Sequence, residues 1–226
     1  MKKIKNRLYT VSTLVPNGAR VADIGCDHGH LPIYLISEGI ASFCIASDIK
    51  EKPLFSAKAN IKKVGLNIET RLGPGLSTIK ENEVDCITVA GMGGEVIAAI
   101  LDGCPFIKSP KYTLILQPIT SADALRKYLC ENGFSIEKEL ATEENGKVYT
   151  VIKAVFSGEY AMMDEAFYKV GKLDPTEPTA RKYIEKQIKI VAELIADRIS
   201  AGLNTDEHTA VYNRLCEIIG EHNPKP

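Results

Sequence analysis

From residue 20 to about 157, short apolar runs rich in β-branched residues alternate with amphipathic segments of helical length. The runs are Arg20–Gly25, Phe43–Asp48, Ile68–Leu72, Val84–Ala90 and Lys111–Leu116. Their hydrophobicity is nearly continuous, which suits strands covered on both faces. Helical stretches lie between them at His30–Glu38, Pro53–Val64, Glu95–Leu101 and Ala122–Glu131. Gly39, Gly65, Gly103 and Gly133 follow these stretches, where left-handed caps are expected. Repeated βα units predict a right-handed, doubly wound parallel sheet.

The pattern breaks at the end of this region. Ser135–Ala141 and Val148–Phe156 both read as strands, with the turn signal Asn145-Gly146 between them. The sheet should therefore end in an antiparallel pair. Dinucleotide-binding dehydrogenase domains usually end in parallel strands. A mostly parallel seven-stranded sheet with an antiparallel terminal hairpin resembles the Rossmann-like α/β fold of class I methyltransferases. From Gly158 the character changes. A helix is expected after Asp174-Pro175-Thr-Glu-Pro178, with Tyr183, Ile184, Ile188, Ile190, Val191, Leu194, Ile195 and Ile199 forming its apolar stripe. Ala201-Gly202 ends it, and Thr205-Asp-Glu opens a second helix through Ile219, giving a C-terminal helical hairpin. The expected division is residues 1–157, a cofactor-binding domain, and 158–226, a coiled-coil-like helical domain.

Composition narrows the function classes. The 226 residues carry 28 basic and 29 acidic side chains, so no global positive field marks a nucleic-acid binder. Any RNA contact must come from a local patch. One candidate is Lys2, Lys3, Lys5 and Arg7, whose alternative reading is a solvated first helix. The six cysteines have no CxxC spacing, no His pair has metal-ligand spacing, and Cys44 and Cys86 sit inside strand-like runs. No metal is expected, and the thiols read as small hydrophobes in a reduced compartment. With no apolar stretch of signal-peptide or membrane-spanning type, the chain is expected to be cytoplasmic, with no membrane partner.

The segment Asp23-Ile-Gly25-Cys26-Asp27-His28-Gly29-His30-Leu-Pro32 leaves the first strand and opens the first helix. Ligands of open α/β sheets bind at such strand ends. The dinucleotide template G-x-G-x-x-G, started at Gly25, fails at Asp27 and His30. The acidic-x-G-x-G-x-G template of S-adenosylmethionine loops fits at Asp23, Gly25 and Gly29, with Asp27 in place of the middle glycine. An acidic loop suits a ligand with a cationic sulfonium and an ammonium group. Asp48, at the end of the second run, is placed to accept both ribose hydroxyls; its alternative is capping the helix at Pro53. Arg71-Leu72-Gly73-Pro74-Gly75-Leu76 can wrap an adenine edge with backbone donors, though alone it is only a turn. Val89-Ala90-Gly91-Met92-Gly93-Gly94 offers close backbone approach and no side-chain acceptor. That composition disfavours methylation of an exocyclic amine and permits attack by a ring nitrogen. Met92 is either core or pocket wall. The expected cofactor contacts are Asp23, Gly25, Cys26, Asp27, Gly29, Asp48, Ile49, Leu72, Gly73, Gly75, Ala90, Gly91 and Met92.

Asp23–Pro32, Arg71–Gly75, Ala90-Gly-Met-Gly-Gly94 and Leu116-Gln-Pro118 together resemble the TrmK family of bacterial tRNA adenine-22 N1-methyltransferases. The resemblance runs from the N-terminal helix to about Phe156, and the helical hairpin is similar in kind to that family's coiled-coil domain. Family members often carry Ser at Cys26 and Ala-Tyr at Gly29-His30. The resemblance implies methyl transfer from S-adenosylmethionine to N1 of an adenine in tRNA, a base that must first leave its stack. Three residues are candidates for catalysis: Asp27 to stabilise the developing cation, His28 to orient the base or relay a proton, and Gln117 to bond the adenine edge. Their alternatives are contact with the methionine ammonium, a loop cap and simple strand termination. Lys182, Lys186 and Lys189 share one helix face and can meet tRNA phosphates, with a solvated face on a dimerisation hairpin as the rival. A monomer or weak homodimer is expected. The other functional readings are a methyltransferase of protein or small molecules and a non-catalytic cofactor-binding protein that associates with RNA.

Overall fold

Every apolar run becomes a strand in the computed structural model, which describes residues 4–220. The strands are β1 (Ala19–Ile24), β2 (Ala41–Asp48), β3 (Glu69–Leu72), β4 (Cys86–Gly93), β5 (Thr113–Thr120), β6 (Phe134–Glu144) and β7 (Lys147–Phe156). The helices are α1 (Asn6–Leu14), α2 (His30–Ser37), α3 (Glu51–Val64), α4 (Gly94–Asp102), α5 (Ala122–Glu131), α6 (Glu165–Val170), α7 (Pro178–Ser200) and α8 (Asp206–Ile218).

The strands form one seven-stranded sheet in the order β3-β2-β1-β4-β5-β7-β6. β1 pairs in parallel with both β2 and β4, so chain direction in the sheet order reverses beside it. β7 lies antiparallel between β5 and β6. The hairpin turn falls on Asn145 and Gly146, whose φ values of 53° and 73° are both positive, as a type I′ turn requires.

Near-continuous hydrophobicity in the strands has its cause in two apolar layers. Ala22, Ile24 and Ile87 face a cluster completed by Ile97 and Leu101 of α4 and Leu125 and Leu129 of α5. Val21, Cys44 and Cys86 face the opposite cluster, completed by Val11 of α1, Leu31 and Leu35 of α2 and Ala57 of α3. All six cysteines are buried.

Several expectations need correction. Gly103 closes α4 with φ −69°, not in the left-handed region, because its N–H bonds to Ala99 within an ordinary final turn. Gly39, Gly65 and Gly133 do adopt it. α6 had no sequence signal of its own; six residues are too short for a readable period. The α7 stripe is narrower than its apolar residues suggest. Tyr183, Ile184, Val191 and Ile195 pack with Tyr212, Leu215 and Cys216 of α8, while Ile190, Leu194 and Ile199 are exposed. α8 together with α6 and the terminal hairpin covers only part of that face. Lys2 and Lys3 lie outside the described residues.

One buried ion pair ties the C-terminal helices to the sheet. Arg126 of α5 and Glu139 of β6 are both fully buried, with Nε to Oε1 at 3.0 Å. Arg126 Nη1 also donates to the carbonyls of Tyr168 and Lys169 in α6, at 2.8 and 3.0 Å. Its guanidinium sits 5.8 Å from the Tyr183 ring of α7. Removing one partner leaves the other charge buried and unpaired. Arg126→Met should therefore lower stability by about 3–5 kcal/mol in urea unfolding, and adding Glu139→Leu should recover most of that loss.

Candidate active site

A cavity of about 360 Å³ opens at the carboxyl ends of the strands, where β1 is flanked by β2 and β4. This is the switch point at which open α/β sheets bind ligands. Its floor is a turn of unusual conformation. Gly25, Asp27 and Gly29 have φ values of 74°, 49° and 70°, all left-handed. Asp is among the few residues with a side chain that adopt this region with any frequency. A carboxylate can thus stand where the loop template has glycine without changing the turn.

The turn is held by the end of β2. The N–H groups of Gly25 and Cys26 both donate to the Ser47 carbonyl, at 2.8 and 2.9 Å. The Asp48 carboxylate accepts from the Asp27 N–H at 3.1 Å and from the Lys50 N–H at 2.8 Å. The Asp48 carbonyl accepts from Gly73 N–H at 3.0 Å, which fixes the turn after β3. Arg71 braces the same turn through Glu83 and the Thr78 carbonyl. That pairing pulls the Glu83 carboxyl down to about 2. Across the cavity a Cβ on Gly25 would collide with Met92 Cε, so the first and fourth strand ends approach as closely as glycine allows.

Nine of the expected cofactor contacts line this cavity: Gly25, Asp27, Asp48, Ile49, Gly73, Gly75, Ala90, Gly91 and Met92. Met92 also packs on the core, so it is a wall rather than a fully buried residue. Four others do not line it. Cys26 is turned into the apolar layer under α2, and burial pushes its thiol well up. Gly29 faces α3, where an added Cβ would lie 3.2 Å from that of Ala57. Leu72 is exposed at the end of β3. Asp23 is buried, with one carboxylate oxygen accepting from Thr88 Oγ1 at 2.7 Å.

The three catalytic candidates separate. Asp27 is open, its side chain 70% exposed, and its Oδ1 lies 3.6 Å from His28 Nε2. The two side chains form a pair at the mouth of the turn. Gln117 is fully buried and does not line the cavity. Its Oε1 accepts from Arg7 and from the Gly91 N–H, and its Nε2 donates to the Pro118 carbonyl at 2.7 Å. That commitment leaves Gln117 supporting the β4 turn instead of facing a base.

Four lining residues lie outside the expected contacts: Ile24, Lys50, Pro53 and Arg7, the last from a distant helix. The sequence offers Arg7 as part of a basic RNA-contact patch or of a solvated first helix, yet its side chain is only 18% exposed. Its Nη1 would lie 3.1 Å from a Cβ on Gly91. One signal was present: Arg7, Val11 and Leu14 follow at i, i+4 and i+7, on the face α1 buries.

Among the described residues no group of three or more His, Cys, Asp or Glu could hold a metal ion. Nor is any described helix long and apolar enough to cross a membrane.

Residues 4–152 match the family described as a methyltransferase domain. The tRNA (adenine(22)-N(1))-methyltransferase of Bacillus subtilis (strain 168) is 42% identical over 173 residues, 76% of this chain and 73% of that protein. The crystal structure of the B. subtilis tRNA methyltransferase TrmK superposes with a TM-score of 0.79 and 33% identity over 97% of each chain. The structure of M. capricolum TrmK in complex with S-adenosyl-homocysteine gives a TM-score of 0.74 and 26% identity over 95% of this chain and 96% of that one.

Asp23 offers a test of the floor. Burial, countered by the Thr88 hydrogen bond and reinforced by the Asp48 charge, raises its carboxyl from 3.8 to about 7. Between those values the folded chain keeps a proton that the unfolded chain has released. The stability contributed is present below about pH 4 and lost as pH rises through about 7. Relative to Asp23→Asn, the wild type should lose ~3–4 kcal/mol over that window in denaturant titrations. Parallel pH profiles for the two proteins would remove Asp23 as the buried acid.

Proposed function

The chain belongs to the TrmK family of tRNA (adenine(22)-N(1))-methyltransferases, and from that premise we propose the following division of labour in its cavity. It is an S-adenosylmethionine-dependent enzyme that methylates N1 of adenine 22 in tRNA. The cofactor supplies an electrophilic methyl group on a sulfonium.

The observation that carries the cofactor reading is the Asp48 carboxylate at the tip of β2, tied to the left-handed turn. A carboxylate so held is oriented to accept two hydroxyls of a ribose. Gly25 and Gly91 leave room for close approach, since a side chain at either would meet Met92 or Arg7. Gly73 and Gly75 border the adenine end. The described residues fit the group.

The β4 turn Ala90–Gly94 presents no polar side chain. An exocyclic amine would need such an acceptor; a ring nitrogen with its lone pair in plane does not. Holding that nitrogen and the methyl carbon in line accounts for much of the barrier reduction. Methylation at N1 leaves a cationic ring until N6 releases a proton. Asp27 stabilises that charge as it develops, and His28, beside it, receives the proton or orients the base. Gln117 acts at one remove, by fixing the Gly91 N–H.

For the tRNA, α7 supplies Lys186. Lys182 and Lys189 are paired with Glu143 and Glu193, whereas Lys186 borders a second cavity of about 340 Å³ with Tyr149 and Lys169. That cavity adjoins the first across one ladder rung, Met92 to Pro118. We assign residues 1–157 to cofactor binding and chemistry and 158–226 to holding tRNA, acting in the cytoplasm as a monomer or weak homodimer.

Incubation with labelled S-adenosylmethionine and unmodified tRNA should yield 1-methyladenosine, and none when adenine 22 is replaced. Asp27→Asn keeps a residue tolerated at positive φ, so the turn should hold and cofactor affinity drop no more than about 3-fold while kcat falls about 10–100-fold. Unchanged kcat would return Asp27 to a binding role. Lys186→Glu should raise the KM for tRNA several-fold and reduce the salt slope of binding by about 1, with cofactor affinity constant.

A further inference from the structure

Helix α3 is basic in a chain that is not. Its 14 residues hold Lys52, Lys58, Lys62 and Lys63 against one carboxylate, Glu51, while the whole chain carries 28 basic and 29 acidic side chains. Leu54, Ala57 and Ile61 point into the core. Lys52, Phe55, Lys62 and Lys63, at i, i+3, i+10 and i+11, share the opposite face, and all four are exposed. Among the described residues none of the four lysines forms an ion pair, whereas Arg181, Lys182 and Lys189 of α7 each hold a carboxylate. The Phe55 ring stands among these cations at 74% exposed, uncovered by any part of the fold.

A groove of about 490 Å³ runs beside this face, between α3, α2 and α1. Ile4, Leu8, Ile33 and Val64 make its walls apolar, and Tyr34 adds an aromatic ring. The permanently charged side chains among its described lining residues are Lys5 and Lys63, both cationic. Cations, an uncovered ring and an apolar cleft side by side fit single-stranded or looped RNA. Its phosphates take the lysines, and its unstacked bases take an aromatic face. Ten residues of helix rise about 15 Å, so Lys52 and Lys62 would meet different phosphates.

The position of α3 favours the same partner. Its first turn reaches the cavity, which Pro53 lines. Asn60 Nδ2 donates to the His28 carbonyl at 3.0 Å, and a Cβ on Gly29 would lie 3.2 Å from that of Ala57. The helix is thus fixed to the turn that presents Asp27 and His28. The second cavity, with Lys186, lies beyond β5 on the other side of the mouth. Resting on tRNA as the substrate, we propose that the outward face of α3, with the groove beside it, is a second tRNA-binding surface. Lys52, Lys62 and Lys63 hold phosphates there, and Phe55 stacks an unpaired base.

Titrations of unmodified tRNA across a salt series test this with two triple variants. One replaces Lys52, Lys62 and Lys63 by Gln. The other removes the same charge at Lys80, Lys108 and Lys111, exposed residues around the start of β5, at the opposite edge of the sheet. The α3 variant should raise the Kd about 10-fold or more and lower the salt slope by about 2–3, while the second changes the Kd less than about 3-fold. Phe55→Ala should weaken binding about 5-fold or more with the slope unchanged, and Phe55→Tyr should restore it. Thermal melts and calorimetry with S-adenosylhomocysteine should match the wild type throughout. Equal losses in the two triple variants would mean a general field, and no loss in the α3 variant would mean that tRNA lies elsewhere; either overturns the surface. So would unchanged tRNA affinity with a dimer lost in sedimentation, which would give the face to a second copy of the chain. Failure of the wild type to bind tRNA at any salt would instead sink the substrate reading, and this surface with it.

Discussion

Ser47 and Asp48, at the end of β2, hold the cavity together. The Ser47 carbonyl takes the first two N–H groups of the turn after β1, and the Asp48 carboxylate takes the third contact at Asp27. The Asp48 carbonyl takes Gly73 from the turn after β3. Three strand ends are thereby set by one dipeptide. The turn after β1 can meet these acceptors because Gly25, Asp27 and Gly29 all enter left-handed space. In the proposed cofactor reading, the same carboxylate that closes this network is the group offered to a ligand's diol. On that reading, structural support and ligand recognition share one carboxylate.

The far end of the cavity is built differently. Gln117 is buried inside the sheet and spends its oxygen on two donors, the Gly91 N–H and Arg7. Glu144, at the end of β6, takes the Arg7 N–H and stands beside its guanidinium. An N-terminal helix, a parallel strand and the terminal hairpin converge on one cation. Antiparallel insertion of β7 is what brings this about. It pushes β6 to the sheet edge and places the hairpin tip against α1.

The C-terminal helices depend on a separate device. A buried guanidinium and carboxylate, with Thr150 Oγ1 as a further donor to Glu139, hold α6 and Tyr183 of α7 against α5 and β6. Such a pair contributes little net stability over an apolar replacement, yet it tolerates few alternative arrangements of the groups it satisfies. α7 accordingly stands at a defined position beside the strand ends, with Lys186 toward the second cavity.

The sequence by itself determined the strand order along the chain, the helices between the strands, the antiparallel end and the turn that floors the cavity. Each rests on local chemistry: continuous apolar runs, Asn145-Gly146, and glycines spaced around Asp27. The same local reasoning placed nine of the residues that line the cavity. Tertiary structure alone decided which way individual side chains turned. Gln117 at a strand tip and Cys26 in the turn both look available in sequence, and both face inward because the layers above them close. Arg7 looks solvated among lysines, and packing of α1 across the strand ends carries it into the cavity. The Arg126–Glu139 pair and α6 were invisible for the same reason. Their meaning depends on contacts between residues far apart in the chain, and no periodicity or spacing records those.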